Sequence, residues 1–102
     1  RVHLLRGNHE TKNMNKVYGF EGEAKHKWGE RAFELMSELF QHLPLCAVLE
    51  NEVFVTHGGL PADDKVDVRQ LAGVDRVREP PESGPMSDLL WSDPQPLPGR
   101  MP

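Results

Sequence analysis

The sequence predicts an α/β protein in which strands end in polar residues at one edge of a sheet. Two stretches indicate the strands: residues 1–5 lead into Gly7-Asn8-His9-Glu10, and Val53–Thr56 leads into His57-Gly58-Gly59. Residues just beyond buried strands are where α/β proteins keep their sites. Apolar residues at helical spacing in residues 30–43 indicate the helical part.

The polar residues after these two stretches are candidate metal ligands. The Asn8 amide oxygen suits a hard cation, and His9 can bind a metal or move a proton near neutral pH. Alone, an Asn-His pair after glycine is more typical of a turn with a hydrogen-bonded side chain. His57 at a second strand end favours a shared site, because two such ends rarely coincide by accident.

Composition excludes several classes of protein. The 102 residues allow one small domain, and no run approaches the ~18 apolar residues of a membrane span. The formal charge of -4 and the absence of a basic stripe argue against nucleic acid as a partner. The single cysteine, Cys46, lies in an apolar run, so we expect a buried, unreactive thiol in a reducing compartment.

Hydrophobic spacing predicts the regular elements in order. A strand covers residues 1–5, and short helices cover residues 10–18 and 21–28. The helix over residues 30–43 has an apolar face that we expect to be core, formed by Ala32, Phe33, Leu35, Met36, Leu39, Phe40 and Leu43. Pro44 then ends it.

The second half contains a predicted hairpin and little else that is regular. Strands Cys46–Leu49 and Val53–Thr56 pair through residues 50–52, where Glu52 replaces the glycine that a type I′ turn often has. Asp67 is expected to cap a short helix that turns Val68, Leu71 and Ala72 inward. Residues 79–86 and the proline-rich residues 93–102 are predicted to be irregular.

Five motifs together resemble the phosphoprotein phosphatase family of serine/threonine phosphatases. They are Leu-Leu-Arg-Gly-Asn-His-Glu (4–10), Val-Tyr-Gly-Phe-Glu (17–21), Leu-Pro-Leu (43–45), His-Gly-Gly-Leu (57–60) and Leu-Leu-Trp-Ser-Asp-Pro (89–94). Residues 79–88 and 91–96 most resemble the protein phosphatase 5 branch. The similarity covers essentially the whole chain, in order.

The resemblance implies an α/β (α+β) fold, a fragment of the calcineurin-like metallophosphoesterase β-sandwich flanked by helices. Residues 1–102 would be the central part of the catalytic domain, incomplete at both ends, with residues 93–102 poorly ordered. Because the chain begins at Arg1 without an initiator methionine, we expect a piece of a longer protein.

The resemblance also implies a reaction. The complete parent would be a hydrolase that removes phosphate from phosphoserine and phosphothreonine in proteins, using a water activated by two divalent metal ions: manganese, or iron or zinc. Asn8 and His57 would bind one of these metals, and His9 would be the general acid. Met14, Tyr18 and Trp91 would line the substrate groove, although core packing explains all three equally simply.

Several residues that the family needs are not in this sequence. The motifs Gly-Asp-x-His-Gly and Gly-Asp-x-x-Asp-Arg-Gly do not occur, nor do the later metal-binding histidine and phosphate-binding arginine. We therefore expect this chain alone to be inactive or nearly so. Arg6 could contact phosphate, or pair with a carboxylate such as Glu10 or Asp93; Glu10 is expected to hold its loop.

Two other functions stay open. The chain could be a truncated, non-catalytic relative that binds phosphoproteins or regulators through Met14, Tyr18 and Trp91. It could also belong to a metallophosphoesterase that acts on small phosphoesters, because Gly-Asn-His-Glu occurs widely. We favour the protein serine/threonine phosphatase. For it we expect phosphoprotein substrates, chaperone or regulatory partners that bind domains outside this chain, and a cytoplasmic or nuclear location.

Overall fold

The structure is a computed structural model that describes residues 1–100. Three helices come first, then a β-hairpin, then two short helices. Their bounds are α1 (Lys12–Val17), α2 (Phe20–Trp28), α3 (Glu30–His42), β1 (Cys46–Leu49), β2 (Val53–Thr56), α4 (Val68–Ala72) and α5 (Pro85–Trp91). The predicted mixture of helices and a small sheet is confirmed, and within residues 1–100 the sheet has two strands.

The first three helices pack consecutively, and aromatic side chains join α2 to α3. The ring of Phe20 lies 6.4 Å from that of Phe33 and 6.1 Å from that of Phe40, measured between centroids. Phe33 and Ala24 are buried between α2 and α3. Aromatic rings at these distances in tilted arrangements attract one another beyond the area they bury.

The expectation that the whole apolar face of α3 is core is only partly correct. Phe33 is buried, but Leu35 and Leu39 are 49% and 59% exposed. The reason is that α3 packs against α2 on one side, and no described element covers Leu35 and Leu39. Ser37 is buried on the covered side instead.

The hairpin has the predicted strands, and the structure shows which type of turn joins them. Cys46 pairs with Thr56 and Leu49 with Val53. Glu50 and Asn51 have φ values of 51° and 56°, and the Glu52 N–H donates to the Leu49 carbonyl at 2.9 Å. Positive φ at both central residues is what a type I′ turn requires. Since Glu52 follows these two positions, it does not need to be glycine.

A compact apolar cluster connects the hairpin to the last two helices. Its buried members are Leu45, Leu71, Met86, Leu89 and Leu90. Asp67 caps α4 as predicted, in a capping box with Gln70. Of the three residues expected to face inward there, only Leu71 is buried, because a five-residue helix presents a narrow face.

One prediction of secondary structure is wrong and another is only partly correct. Residues 1–5 form no strand: Val2 and Leu4 are 85% and 67% exposed, and no described strand lies beside them to complete the hydrogen bonds. Residues 79–86 are not wholly irregular, because α5 begins at Pro85 after Gly84. Proline is favoured in the first turn of a helix, where its missing N–H costs nothing.

Residues 93–100 contain no helix or strand, as predicted from their prolines. The expectation of poor order in residues 93–102 stays a prediction, and Met101 and Pro102 lie outside the described residues. No helix in the described part of the chain has the length and apolar character needed to cross a membrane.

Candidate metal centre

Two candidate ligands from distant parts of the sequence meet in the structure. The Asn8 Oδ1 and His57 Nε2 atoms are 3.0 Å apart, although 49 residues separate them in the chain. Asn8 comes from the loop before α1, and His57 directly follows β2. The predicted convergence therefore occurs, even though no strand precedes Asn8.

The two atoms lie at hydrogen-bonding distance, and the same spacing also suits a shared cation. Two ligands each about 2.1 Å from one ion, at the right angle of octahedral coordination, lie about 3.0 Å apart. An amide oxygen and an imidazole nitrogen are a ligand pair that borderline transition metals accept. Two ligands do not complete a coordination shell, and residues 1–100 contain no group of three or more His, Cys, Asp or Glu residues placed to hold a metal.

Close packing holds the loop that carries His57. The Gly58 N–H donates to the Leu89 carbonyl at 2.8 Å. A Cβ on Gly58 would lie 2.6 Å from the Leu90 carbonyl carbon and 2.8 Å from the Trp91 nitrogen. Because these are backbone atoms of α5, which cannot move aside as a side chain can, a side chain larger than hydrogen does not fit.

Hydrogen bonds hold the loop that carries Asn8. The Glu10 carboxylate accepts the Gly7 N–H at 2.9 Å, so Glu10 holds the loop as predicted. Thr11 Oγ1 donates to the Asn8 carbonyl at 3.2 Å and accepts the Met14 N–H at the start of α1. Gly7 lies under the His57 ring, since a Cβ there would be 3.3 Å from His57 Nδ1.

His9 follows Asn8 and is exposed to solvent. Its ring stacks on that of Tyr18, with centroids 4.8 Å apart and an interplanar angle of 27°. The Asn15 side-chain amide donates to the His9 carbonyl at 2.7 Å and fixes the backbone at this residue. Among the described residues, neither ring nitrogen of His9 takes part in a hydrogen bond, so both can reach a ligand.

Two of the three predicted groove residues line one open groove. It has a volume of about 610 Å3, and both Met14 and Trp91 line it. Tyr18 is not in its lining and stacks on His9 instead. The remaining lining residues are Thr11, Lys12, Asn13, Glu79, Pro80, Pro81, Glu82 and Ser87.

Arg6 is fully buried and cannot contact a phosphate at the surface. Its Nε donates to the Glu10 carbonyl at 2.9 Å, and its Nη2 lies 3.6 Å from the Glu79 carboxylate. The suggested pairing with Asp93 is wrong; that residue is exposed. Burial lowers the pKa of the Arg6 guanidinium, and the charges of Glu79 and Glu10 partly oppose this.

Sequence reasoning missed Glu79 and the helix that supports His57. Glu79 reaches Arg6 from 73 positions later in the chain, and α5 carries the backbone against which Gly58 packs. Pro85 after Gly84 was the available signal for α5. Nothing in the local sequence around Glu79 indicates its partner.

The sequence model of the calcineurin-like phosphoesterase family matches residues 1–101. The chain belongs to the calcineurin-like phosphoesterase family. Membership in this family of metallophosphoesterases implies divalent metal cofactors. The prediction of the fold class is thereby confirmed.

Individual proteins of this phosphoesterase family are similar over almost the whole chain. Serine/threonine-protein phosphatase 5 of Homo sapiens is 55% identical over 98 residues, which cover 96% of this chain and 20% of that protein. The protein of the same name from Arabidopsis thaliana is 54% identical over 99% of this chain. Serine/threonine-protein phosphatase T of Schizosaccharomyces pombe is 52% identical over 99% of this chain and 22% of that protein.

A solved structure shares the phosphoesterase fold. It is a protein serine/threonine phosphatase from Saccharomyces cerevisiae, described as similar to human phosphatase PP5. The TM-score is 0.92 at 44% identity, over 95% of this chain and 31% of that chain. This chain therefore spans about a fifth of the length of the curated relatives it matches.

Proposed function

We propose that this chain forms part of the active site of a protein serine/threonine phosphatase, a hydrolase of phosphoserine and phosphothreonine. The observation that carries the proposal is the 3.0 Å approach of Asn8 Oδ1 to His57 Nε2. Relatives at 50–55% identity bear the name serine/threonine-protein phosphatase, which supports the same reaction for the complete protein.

Asn8 and His57 would hold one of two metal ions in this proposal. When bound, such ions activate water and neutralise the charge of the phosphate. Asn8 contributes a neutral oxygen and His57 a neutral nitrogen, so neither cancels the positive charge needed to attract a phosphate dianion. The remaining ligands would come from residues outside this chain, so this chain alone is expected to be inactive.

His9 would act as the general acid. Histidine is the side chain best suited to proton transfer near neutral pH, and the exposed ring of His9 can give a proton to the serine or threonine oxygen as it leaves. Stacking on Tyr18 fixes the plane of the ring while its edge, which carries both nitrogens, stays accessible. The Asn15 contact to the His9 carbonyl limits movement of the backbone.

A peptide substrate suits the surface beside His9 better than a small phosphoester. The groove that Met14 and Trp91 line has a volume of about 610 Å3, which has room for peptide residues next to the phosphorylated one. A small phosphoester would leave this groove unused. Met14 and Trp91, together with Tyr18 under His9, are therefore proposed to contact the substrate.

The finer properties of the complete protein also belong to this proposal. Amide oxygen and imidazole nitrogen ligands suit manganese, iron or zinc. Phosphoproteins are the proposed substrates, and chaperone or regulatory partners would bind domains outside this chain. The proposed location is the cytoplasm or nucleus, which one unpaired cysteine fits.

A chimera tests the reaction. This chain would replace the matching segment of the Saccharomyces cerevisiae phosphatase, and hydrolysis of a phosphopeptide would be measured. His9→Asn should lower kcat about 100- to 10,000-fold with bound metal unchanged. His57→Ala and Asn8→Ala should each reduce the bound metal, measured by elemental analysis.

His26→Asn is the matched control, because His26 is an exposed histidine in α2 and has no proposed role. It should leave both kcat and metal content unchanged. Normal turnover by His9→Asn would contradict the role of His9. Hydrolysis of a small diester without hydrolysis of the phosphopeptide would favour a small-molecule phosphoesterase. A chimera that binds a phosphopeptide in chelator but never hydrolyses it would favour a binding protein.

A further inference from the structure

The loop that carries Asn8 and His9 depends on a buried charge. The Arg6 guanidinium directly precedes this loop and donates to two backbone carbonyls, that of Glu10 and that of Arg78, each at 2.9 Å. One end of the loop is thereby tied to the segment before α5. Among the described residues, Glu79 is the one carboxylate within ion-pair distance of Arg6.

Glu79 also accepts two hydrogen bonds, one from α1 and one from α3. Its Oε1 accepts the Lys12 N–H at 2.6 Å, and its Oε2 accepts from Gln41 Nε2 at 2.8 Å. Lys12 is the first residue of α1, where backbone N–H groups have no partner within the helix. We call the contacts of Glu79 to Lys12, Gln41 and Arg6 the Glu79 clamp.

Helix α1 connects the Glu79 clamp to His9. Once the start of α1 is fixed, Asn15 in its middle holds the His9 carbonyl, and Tyr18 at its end stacks on the His9 ring. Movement of the helix start would therefore change both contacts. Thr11 caps the same helix through the Met14 N–H and leaves the Lys12 N–H to Glu79.

We infer that Glu79 is a positioning residue that sets the orientation of His9 through its hydrogen bond to the start of α1. Its catalytic meaning rests on the proposed function, but its effect on geometry does not. Glu79 also lines the groove that Met14 and Trp91 line, so the same side chain connects the groove wall to the proposed acid.

Nuclear magnetic resonance on the full 102-residue chain, without metal or substrate, tests this inference. The Tyr18 ring current should shift the His9 ring protons upfield, and Tyr18→Leu gives their unshifted position. Glu79→Ala should remove most of the upfield shift and speed exchange of the Lys12 amide about tenfold. Glu79→Gln should keep most of the His9 shift and most of the slow exchange of the Lys12 amide, because its amide oxygen still accepts the Lys12 N–H. Gln41 can turn its own amide so that its oxygen accepts from the new amide.

Glu82→Ala is the matched control. Glu82 lines the same groove but makes no ion pair or side-chain hydrogen bond among the described residues, so the His9 shift should stay unchanged. The methyl resonances of Leu89 and Leu90 report the apolar cluster and should be unchanged in every variant. This separates a local reorientation from general unfolding.

Two results would overturn the inference. One is a His9 shift in Glu79→Ala that equals the wild-type shift. The other is a Glu79→Gln variant that loses the shift as fully as Glu79→Ala, because hydrogen bonding to α1 would then not be what positions His9. Since no metal or substrate takes part, either result leaves the proposed phosphatase reaction to be judged separately by the chimera.

Discussion

The loops that present Asn8 and His57 reach the same point by different physical means. Residues 7–10 are held by charge and hydrogen bonds from Arg6, Glu10 and Thr11. Residues 57–59 are held by the close approach of Gly58 and Gly59 to the end of α5. One loop depends on polar partners from across the chain, and the other depends on the absence of side chains.

This difference determines which changes each loop tolerates. Hydrogen bonds fix direction but can be replaced by similar donors and acceptors. Close packing against a backbone has no such substitutes, because any added atom must displace the helix. We therefore expect the first loop to respond to lost polar groups and the second to added volume.

The largest expected effect is on the polar loop. Arg6→Ala removes three contacts of a fully buried guanidinium and leaves a void, so the free energy of unfolding should fall by about 4 kcal/mol. Urea unfolding measures this. Arg31→Ala removes an exposed arginine paired with Glu34 and should cost no more than about 0.5 kcal/mol. Equal losses for the two variants would show that Arg6 does not anchor the loop.

The second effect tests the packed loop. Gly58→Ala places a Cβ less than 3 Å from three backbone atoms of α5 and should cost about 3 kcal/mol by urea unfolding. Gly22→Ala is the control, because Gly22 lies within α2 with open space around it. That change should stabilise the chain by about 0.5–1 kcal/mol. If Gly58→Ala leaves the free energy of unfolding unchanged, α5 can move to make room for the added methyl group, and close packing does not hold His57.

The third effect compares one hydroxyl in each region. Thr11 caps α1, so Thr11→Val should cost about 1 kcal/mol. Thr56 Oγ1 lies within hydrogen-bonding distance of the Leu45 and Leu89 carbonyls, but Leu89 also accepts from Gly58. Thr56→Val should therefore cost about half as much. If Thr56→Val lowers the free energy of unfolding more than Thr11→Val does, the loop at His57 depends on hydrogen bonds more than the loop at Asn8 does.

The sequence was sufficient for elements whose causes are local. The hairpin, the Asp67 cap and the helix ending before Pro44 follow from residues within a few positions of each other. The meeting of Asn8 and His57 was also predicted, from two strands ending at one sheet edge, although of those two only Val53–Thr56 is a strand in the structure. Their roles as metal ligands stay a prediction.

What the sequence did not reveal depends on distant partners. Residues 1–5 have the composition of a strand, but no described strand lies beside them, and strand geometry requires hydrogen bonds from a neighbour. Leu35 and Leu39 continue an apolar stripe that lacks a covering element. Glu79 has no local pattern, since its role appears only when Arg6, Lys12 and Gln41 are placed around it.

The smallest expected effect uses Cys46 as a probe of the packed side. Cys46 pairs with Thr56, just before His57, and burial raises the pKa of its thiol above the ordinary value of 9.0. Because the folded state then favours the neutral thiol, its contribution to stability is complete below pH 9 and is lost as the pH rises through the higher folded value. Urea unfolding at several pH values should show a slightly steeper decline above pH 9 for the wild type than for Cys46→Ala. If the free energy of unfolding falls equally for the two proteins, water reaches the Cys46 thiol. The hairpin before His57 would then be less tightly packed than the loop at Gly58.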